Sequence, residues 1–277
     1  MQNLNLRKFN PKEMEKRRLD TEKGGPPTII LVGPRGTGKS YLVRDLMYFL
    51  RRIPAGMIMT DSESSIESFS NFFPKSFIFD EVDINRIENI VNRQHKLRKK
   101  KTEGDYSSFL LFDDCGYDKS ITTKKVIKRI FRNGRHLRIM ILMTVQYSTD
   151  IPPDLRTNAD YVFILKENGI DNRKRLWKHY CGIIRNFDTF NEVMDTCTDE
   201  NGVLVIDNTT RSNKVEDNVF WYKAKSPSKK FKVGSKSLWD FHKENYISEE
   251  DSDEAKTIKN TKSKIVVKKI KKKKKKN

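Results

Sequence analysis

The octapeptide Gly33-Pro34-Arg35-Gly36-Thr37-Gly38-Lys39-Ser40 matches GxxxxGK[ST], a motif that ties eight residues to one local architecture. It follows the apolar run Thr28–Val32 and precedes the helix-like stretch Tyr41–Arg51, giving the strand, loop and helix that the motif needs to work. Gly33, Gly36 and Gly38 let the backbone curl so that successive N–H groups point inward, and the start of the next helix adds its positive dipole end to the same anion site. Lys39 is then expected to reach the β- and γ-phosphates of a bound ATP, and the Ser40 hydroxyl to ligate Mg²⁺. Gly33, Pro34, Arg35, Gly36, Thr37, Gly38, Lys39 and Ser40 are therefore the expected nucleotide-binding residues.

Strand-like and helix-like segments alternate after this loop. Ala55–Thr60, Ser76–Phe79, Ser108–Phe112, Arg138–Val145 and Asp160–Leu165 read as strands. Helical spacing recurs at Ile84, Ile87, Val91 and Leu97, then over Ser120–Asn133, Asn172–Ile184 and Asp188–Thr196. Gly202–Ile206 and Val219–Tyr222 read as late strands that extend or flank the sheet. The pattern predicts an α/β fold with a central, mostly parallel sheet flanked by helices; together with the phosphate loop it resembles the P-loop NTPases of the ASCE, RecA-like kind. Three segments are expected: a basic lead-in over 1–26 with a helix-compatible stretch at Pro11–Leu19, the ATPase domain over 27–245, and a tail over 246–277.

That tail dominates the charge. Twelve lysines and no acid lie in 256–277, so only +7 of the net +19 belongs to residues 1–255. The acidic patch Glu249–Glu254 precedes the lysines, and neither part has the apolar content to fold, so the tail is expected to be disordered. Two readings stay open for it: a tether to polyanionic DNA or a nuclear-localisation-like address, and a solvated tail with no partner. The cationic stretch Arg93–Lys101 reads first as a solvated helix end and loop, with a DNA-contacting surface as the alternative. Cys115, Cys181 and Cys197 have no CxxC partner, which predicts reduced thiols and no zinc site. The chain has neither a run of 18 apolar residues nor an apolar h-region at its start, so neither a membrane span nor a secretory signal is expected.

In parallel sheets, ligands bind beyond the carboxyl ends of the strands, which selects the residues that follow each apolar run. Asp113 and Asp114 follow Ser108–Phe112, and Gln146 follows Arg138–Val145. Asp113 is assigned to the metal and Asp114 to the attacking water, with an acid that merely caps the next turn as the alternative for Asp114. Gln146 can donate and accept at once, as a sensor of water and γ-phosphate must, though a polar strand end would read the same way. Asp80-Glu81 after Ile78-Phe79 is a rival acid pair on a shorter run. A cation on the γ-phosphoryl group is often supplied by a neighbouring subunit; Arg135 is the first candidate, with Arg132 and Arg156 behind it and a plain surface charge as the alternative.

Taken in order, the phosphate loop, Phe109–Asp114, Arg135-His136, Thr144-Val145-Gln146 and Pro152–Asp160 resemble the genome-packaging ATPases of large nucleocytoplasmic DNA viruses. These are the poxvirus-type packaging ATPases, a branch of the FtsK/HerA superfamily of P-loop NTPases. The similarity covers roughly residues 27–225, including Phe220–Ala224. It implies a Mg²⁺-dependent, DNA-stimulated ATPase that works as a homo-oligomeric ring, a hexamer or pentamer. Such a ring drives double-stranded DNA into a capsid with a capsid or portal partner, in the host cytoplasm (the viral factory) or the virion. It also implies that Gln146 is the sensor and that Arg135 acts on the adjacent subunit's ATP. Asp114 departs from the pattern, because many relatives in the wider superfamily carry glutamate there. A nucleotide or small-molecule kinase, and a nucleotide-dependent switch without turnover, remain alternatives that the phosphate loop alone also allows.

Overall fold

The computed structural model describes residues 4–20, 22, 24–115, 119–227 and 229–246. The lysine-rich segment expected to be disordered lies outside the described residues. Its elements in chain order begin with β1 (Arg7–Lys8), α1 (Lys12–Leu19), β2 (Thr28–Val32), α2 (Lys39–Phe49), β3 (Ala55–Thr60) and α3 (Glu63–Ser70). Next come β4 (Ile78–Phe79), α4 (Ile84–Lys99), β5 (Ser108–Asp113), α5 (Lys119–Thr123), α6 (Lys125–Asn133), β6 (Ile139–Val145) and α7 (Pro153–Arg156). The chain continues through β7 (Tyr161–Ile164), α8 (Ile170–Tyr180), α9 (Phe187–Thr198), β8 (Gly202–Asp207), α10 (Val215–Asn218), β9 (Val219–Lys223) and α11 (Lys236–Asn245).

The strands form one sheet in the order β1-β9-β8-β7-β2-β6-β5-β3-β4. All run the same way except β8, which is antiparallel to both β7 and β9. Strands covered on both faces should read as continuous apolar runs, and β2, β5 and β6 are buried along their whole length. Their alternate residues feed two cores. Leu110, Phe112, Ile141 and Met143 face the layer containing Ile87, Val91, Ile127, Ile130 and Phe131 of α4 and α6. Phe109, Leu111, Met140 and Leu142 face the opposite layer, with Leu42, Leu46, Phe69 and Phe73.

The basic lead-in is built into the domain. β1 pairs in parallel with β9, and Phe9 stands edge-on to Tyr161, Phe163, Phe220 and Tyr222. Arg18 is buried and bonds Glu15, Asp105 and Ser107, fastening α1 to the approach to β5. Burial opposes its charge, yet the bonds to Glu15 and Asp105 outweigh that and raise its pKa.

Two expected elements differ. The strand over Ser76–Phe79 shrinks to Ile78–Phe79 because the residues after Pro74 wind into a 3₁₀ turn, Lys75–Phe77. The helix over Ser120–Asn133 breaks into α5 and α6 at Lys124, whose backbone is extended. The Thr123 hydroxyl bonds the Ser120 carbonyl at 2.6 Å just before the break, a local bond that competes with the helical ladder.

Candidate functional site

The phosphate loop joins β2 to α2 at the carboxyl end of the sheet, and α2 begins at Lys39, inside the motif. Gly36 and Gly38 have φ of 81° and 94°, a region that side chains with a Cβ seldom adopt, and an added Cβ at either would meet nothing within 4 Å. Backbone conformation, then, is what demands glycine here, and it leaves the concave side of the loop open. Lys39 is 9% exposed and its Nζ donates to the carbonyls of Gly33 at 2.7 Å and Pro34 at 3.2 Å. Burial lowers its pKa, while the carboxylates of Asp114 and Asp113 work in the other direction.

Register brings the acids to the loop. β6 lies between β2 and β5, so the strand ends at Val32, Val145 and Asp113 stand side by side. Thr60 is the direct partner of Asp113, and Phe112 pairs with Met143, which sets Thr144 on the other flank. Thr144 Oγ1 donates to Asp113 Oδ1 at 2.8 Å, Ser65 Oγ donates to Oδ2 at 2.8 Å, and Thr60 Oγ1 makes a longer contact of 3.4 Å. Asp113 is 3% exposed and has no salt bridge among the described residues. Burial raises its pKa, and the hydroxyls of Thr144 and Ser65 offset this only in part. A buried carboxylate held by neutral donors, beside the Ser40 hydroxyl in the same cleft, fits a divalent cation.

Asp114 adopts φ 54°, a left-handed conformation that aspartate tolerates better than most residues. Its N–H donates to Thr144 Oγ1 at 2.9 Å, and its Oδ2 accepts from Gln146 Nε2 at 2.7 Å. Lys39, Ser40, Asp113, Asp114 and Gln146 thus line one open cleft of ≈ 850 Å³, together with Arg35, Asp61, Ser65 and Asp150. Asp80 and Glu81 are exposed beyond edge strand β4 and do not line it.

The arginines fall elsewhere. Arg135 sits in the 3₁₀ turn Gly134–Leu137 that enters β6, at the opposite end of that strand from Gln146. Seven strand residues separate the two levels, about 23 Å at 3.3 Å per residue. Its guanidinium pairs with Asp160 at 3.2 Å, as does that of Arg17 at 2.9 Å. Arg132 is exposed and 3.5 Å from Asp154, whereas Arg156 donates to the carbonyls of Ser148 and Ile151, bracing the loop after Gln146. Arg175 of α8, which no motif marks in the sequence, lines a small crevice with Gly33, Pro34 and Gln146. Nothing in the sequence marks Thr144 or Ser65 as partners of Asp113: register sets Thr144 beside it, and the packing of α3 brings Ser65 to it.

No family model matches the chain. Protein L437 of Acanthamoeba polyphaga mimivirus is 35% identical over 254 residues, spanning 89% of this chain and 87% of its own length. Protein 075L of Invertebrate iridescent virus 6 is 33% identical over 248 residues, spanning 88% and 96%. The chain belongs to this family of large DNA virus proteins. Among solved structures, the genome packaging NTPase B204 from Sulfolobus turreted icosahedral virus 2 in complex with sulfate superposes with a TM-score of 0.51 at 16% identity, covering 73% of this chain and 98% of that one. The same NTPase in complex with AMPPCP gives 0.50 at 16% identity, covering 78% and 100%. The pCW3 conjugation coupling protein TcpA with ATPgS gives 0.51 at 11% identity, covering 80% and 70%. At these identities the likeness is one of fold, and this chain shares the fold of those proteins.

Proposed function

We propose that this chain is a Mg²⁺-dependent ATPase that acts as an oligomeric motor and translocates double-stranded viral DNA into a capsid. The observation that carries the reading is the single cleft in which the phosphate loop, the buried Asp113 and the bonded pair Asp114–Gln146 meet at the strand ends. The fold shared with a packaging NTPase and the membership in a large DNA virus family support it.

In this mechanism Lys39 exchanges the carbonyls of Gly33 and Pro34 for the β- and γ-phosphates. Mg²⁺, held by Ser40 and oriented through Asp113, would neutralise charge between those phosphates. Asp114 takes a proton from the attacking water as its oxygen bonds to the γ-phosphorus, and ADP departs with the bridging oxygen and its electron pair. Gln146 positions that carboxylate and the water. Aspartate is one methylene shorter than glutamate, and the left-handed backbone at 114 together with the Gln146 bond sets its reach. Arg135 serves the γ-phosphate of an adjacent subunit, since it lies a strand length from its own cleft.

Phosphate release measured with and without duplex DNA tests the reading. Stimulation by DNA, and loss of turnover in Lys39→Ala, are the expected results. ADP formation that requires an added nucleoside would instead identify a kinase, and retained turnover in Lys39→Ala would remove the assigned site.

A further inference from the structure

Two helices on one face of the sheet carry a cationic surface that the ATP cleft does not use. α4 leads into β5 and α6 leads into β6, and both helices pack on the same core layer through Ile87, Val91, Ile127 and Ile130. They are fixed side by side: Gln94 of α4 is fully buried and donates to the carbonyls of Leu137 and Arg138, which follow α6. The sequence contains no acid from Asn89 to Thr102 and none from Lys119 to Thr149. Lys96, Lys99, Lys100, Lys124, Lys125 and Arg129 are all exposed, and none makes a salt bridge among the described residues. The acids within range are few. Asp154 stands 3.6 Å from Lys128 and 3.5 Å from Arg132, Asp105 is taken by Arg18, and Glu103 is exposed in the loop after α4.

Helix stability does not account for these charges. Cations at the end of α4 suit the helix dipole, but Lys124 and Lys125 stand at the start of α6, where the dipole disfavours them and no acid is present in the first turn. The nine residues of α6 make a basic strip about 14 Å long, with the end of α4 about 10 Å to its side. Laid along the duplex axis, that strip covers the rise of about four phosphates of one strand. The one aromatic ring of α6, Phe131, is buried, so the strip offers bases no stacking platform.

We propose that the joint surface of α4 and α6 binds the phosphate backbone of duplex DNA without sequence preference. This rests on the motor reading for its biological purpose, not for its chemistry. The surface extends from the cleft side of the sheet to its opposite end, so DNA and nucleotide occupy separate sites linked through β5 and α6.

The test is fluorescence anisotropy of the full-length chain on a duplex of about 30 base pairs, without nucleotide, over a range of salt. Lys96→Gln/Lys99→Gln/Lys100→Gln and Lys124→Gln/Lys125→Gln/Arg129→Gln should each weaken binding about tenfold or more. Each should also flatten the slope of log K against log salt by about 2–3. Lys214→Gln/Lys229→Gln/Lys230→Gln removes the same charge elsewhere and should stay within about twofold of wild type. Basal phosphate release without DNA should be unchanged in all three, which verifies folding. Patch variants that bind like the Lys214 control, or binding lost only when Lys271–Lys276 become glutamine, would overturn the proposal. If the wild type lacks basal hydrolysis, the motor reading fails, and the anisotropy series still decides the surface.

Discussion

Thr144→Val should reveal how the acid end of β5 is held. The single hydroxyl of Thr144 donates to Asp113 Oδ1 at 2.8 Å and accepts the Asp114 N–H at 2.9 Å. Valine keeps the branched shape, so the fully buried strand packing is retained while both bonds vanish. A hydrogen bond to a carboxylate contributes about 1.5–3 kcal/mol, and leaving the part-buried Asp114 N–H without its acceptor costs about 1–3 kcal/mol more. A total near 3 kcal/mol corresponds, for a domain of this size, to a fall in Tm of about 6–12 °C. Thr60→Val is the matched control, since the Thr60 hydroxyl makes only long bonds, donating to Asp113 at 3.4 Å and accepting the Ser62 N–H at 3.3 Å, and their loss should cost about 1 kcal/mol or less. Thermal melts without nucleotide, paired with steady-state phosphate release, give both readouts. Turnover should fall in Thr144→Val, because Asp113 and the strained Asp114 lose the group that aligns them together. If the Thr144 and Thr60 variants melt alike and hydrolyse like wild type, the register argument for the site is wrong.

Asp113→Asn should abolish Mg²⁺-dependent turnover yet stabilise the nucleotide-free protein. Burial raises the folded-state pKa of Asp113, so its stability contribution is present below the ordinary carboxylate range and is lost as pH rises through the folded value. The Tm advantage of the asparagine variant should therefore be largest at neutral pH and shrink towards pH 4, and a constant gap would refute the assignment. Arg135→Ala and Asp114→Asn, each inactive alone, should recover activity when mixed, because one supplies an intact cleft and the other an intact arginine; no recovery at any ratio would count against a shared site. Arg175→Ala should lower kcat with little change in KM if the arginine beside Gly33 and Gln146 meets charge that develops on the γ-phosphoryl group, whereas a pure rise in KM would mark ground-state binding only.

The phosphate loop and the strand ends at Asp113 and Gln146 were legible in the sequence because each depends on local order: an apolar run, then a polar residue at a sheet's carboxyl end. Asp113 and Asp80 look alike on that criterion. What separates them is strand order, which places β5 one strand from β2 across β6 and β4 at the far edge. Strand order is set by packing among distant segments and leaves no local mark. The same holds for Phe9 and Arg18, which lie in a stretch so polar that it reads as a lead-in. One aromatic ring among four others and one guanidinium among two carboxylates, with the pairing of β1 to β9, build it into the sheet. The alternation of helices and strands, by contrast, was set by periodicity, and the errors fell where a proline or a side-chain hydroxyl competed with it.

The Asp114–Gln146 bond gives the proposed motor a means of waiting. With no nucleotide bound, the Gln146 amide donates to the same Oδ2 that would accept the proton from water. While that bond stands, a lone pair of Oδ2 is engaged with the amide instead of facing a water. Contact with a γ-phosphate would draw the Gln146 N–H towards stronger, charge-assisted acceptors and release Asp114 to act. Access of a water to that oxygen would then depend on the presence of the group to be cleaved. Thr144 secures the backbone of Asp114 during that exchange, and β5 carries the same segment back towards the end of α4, where the DNA surface begins.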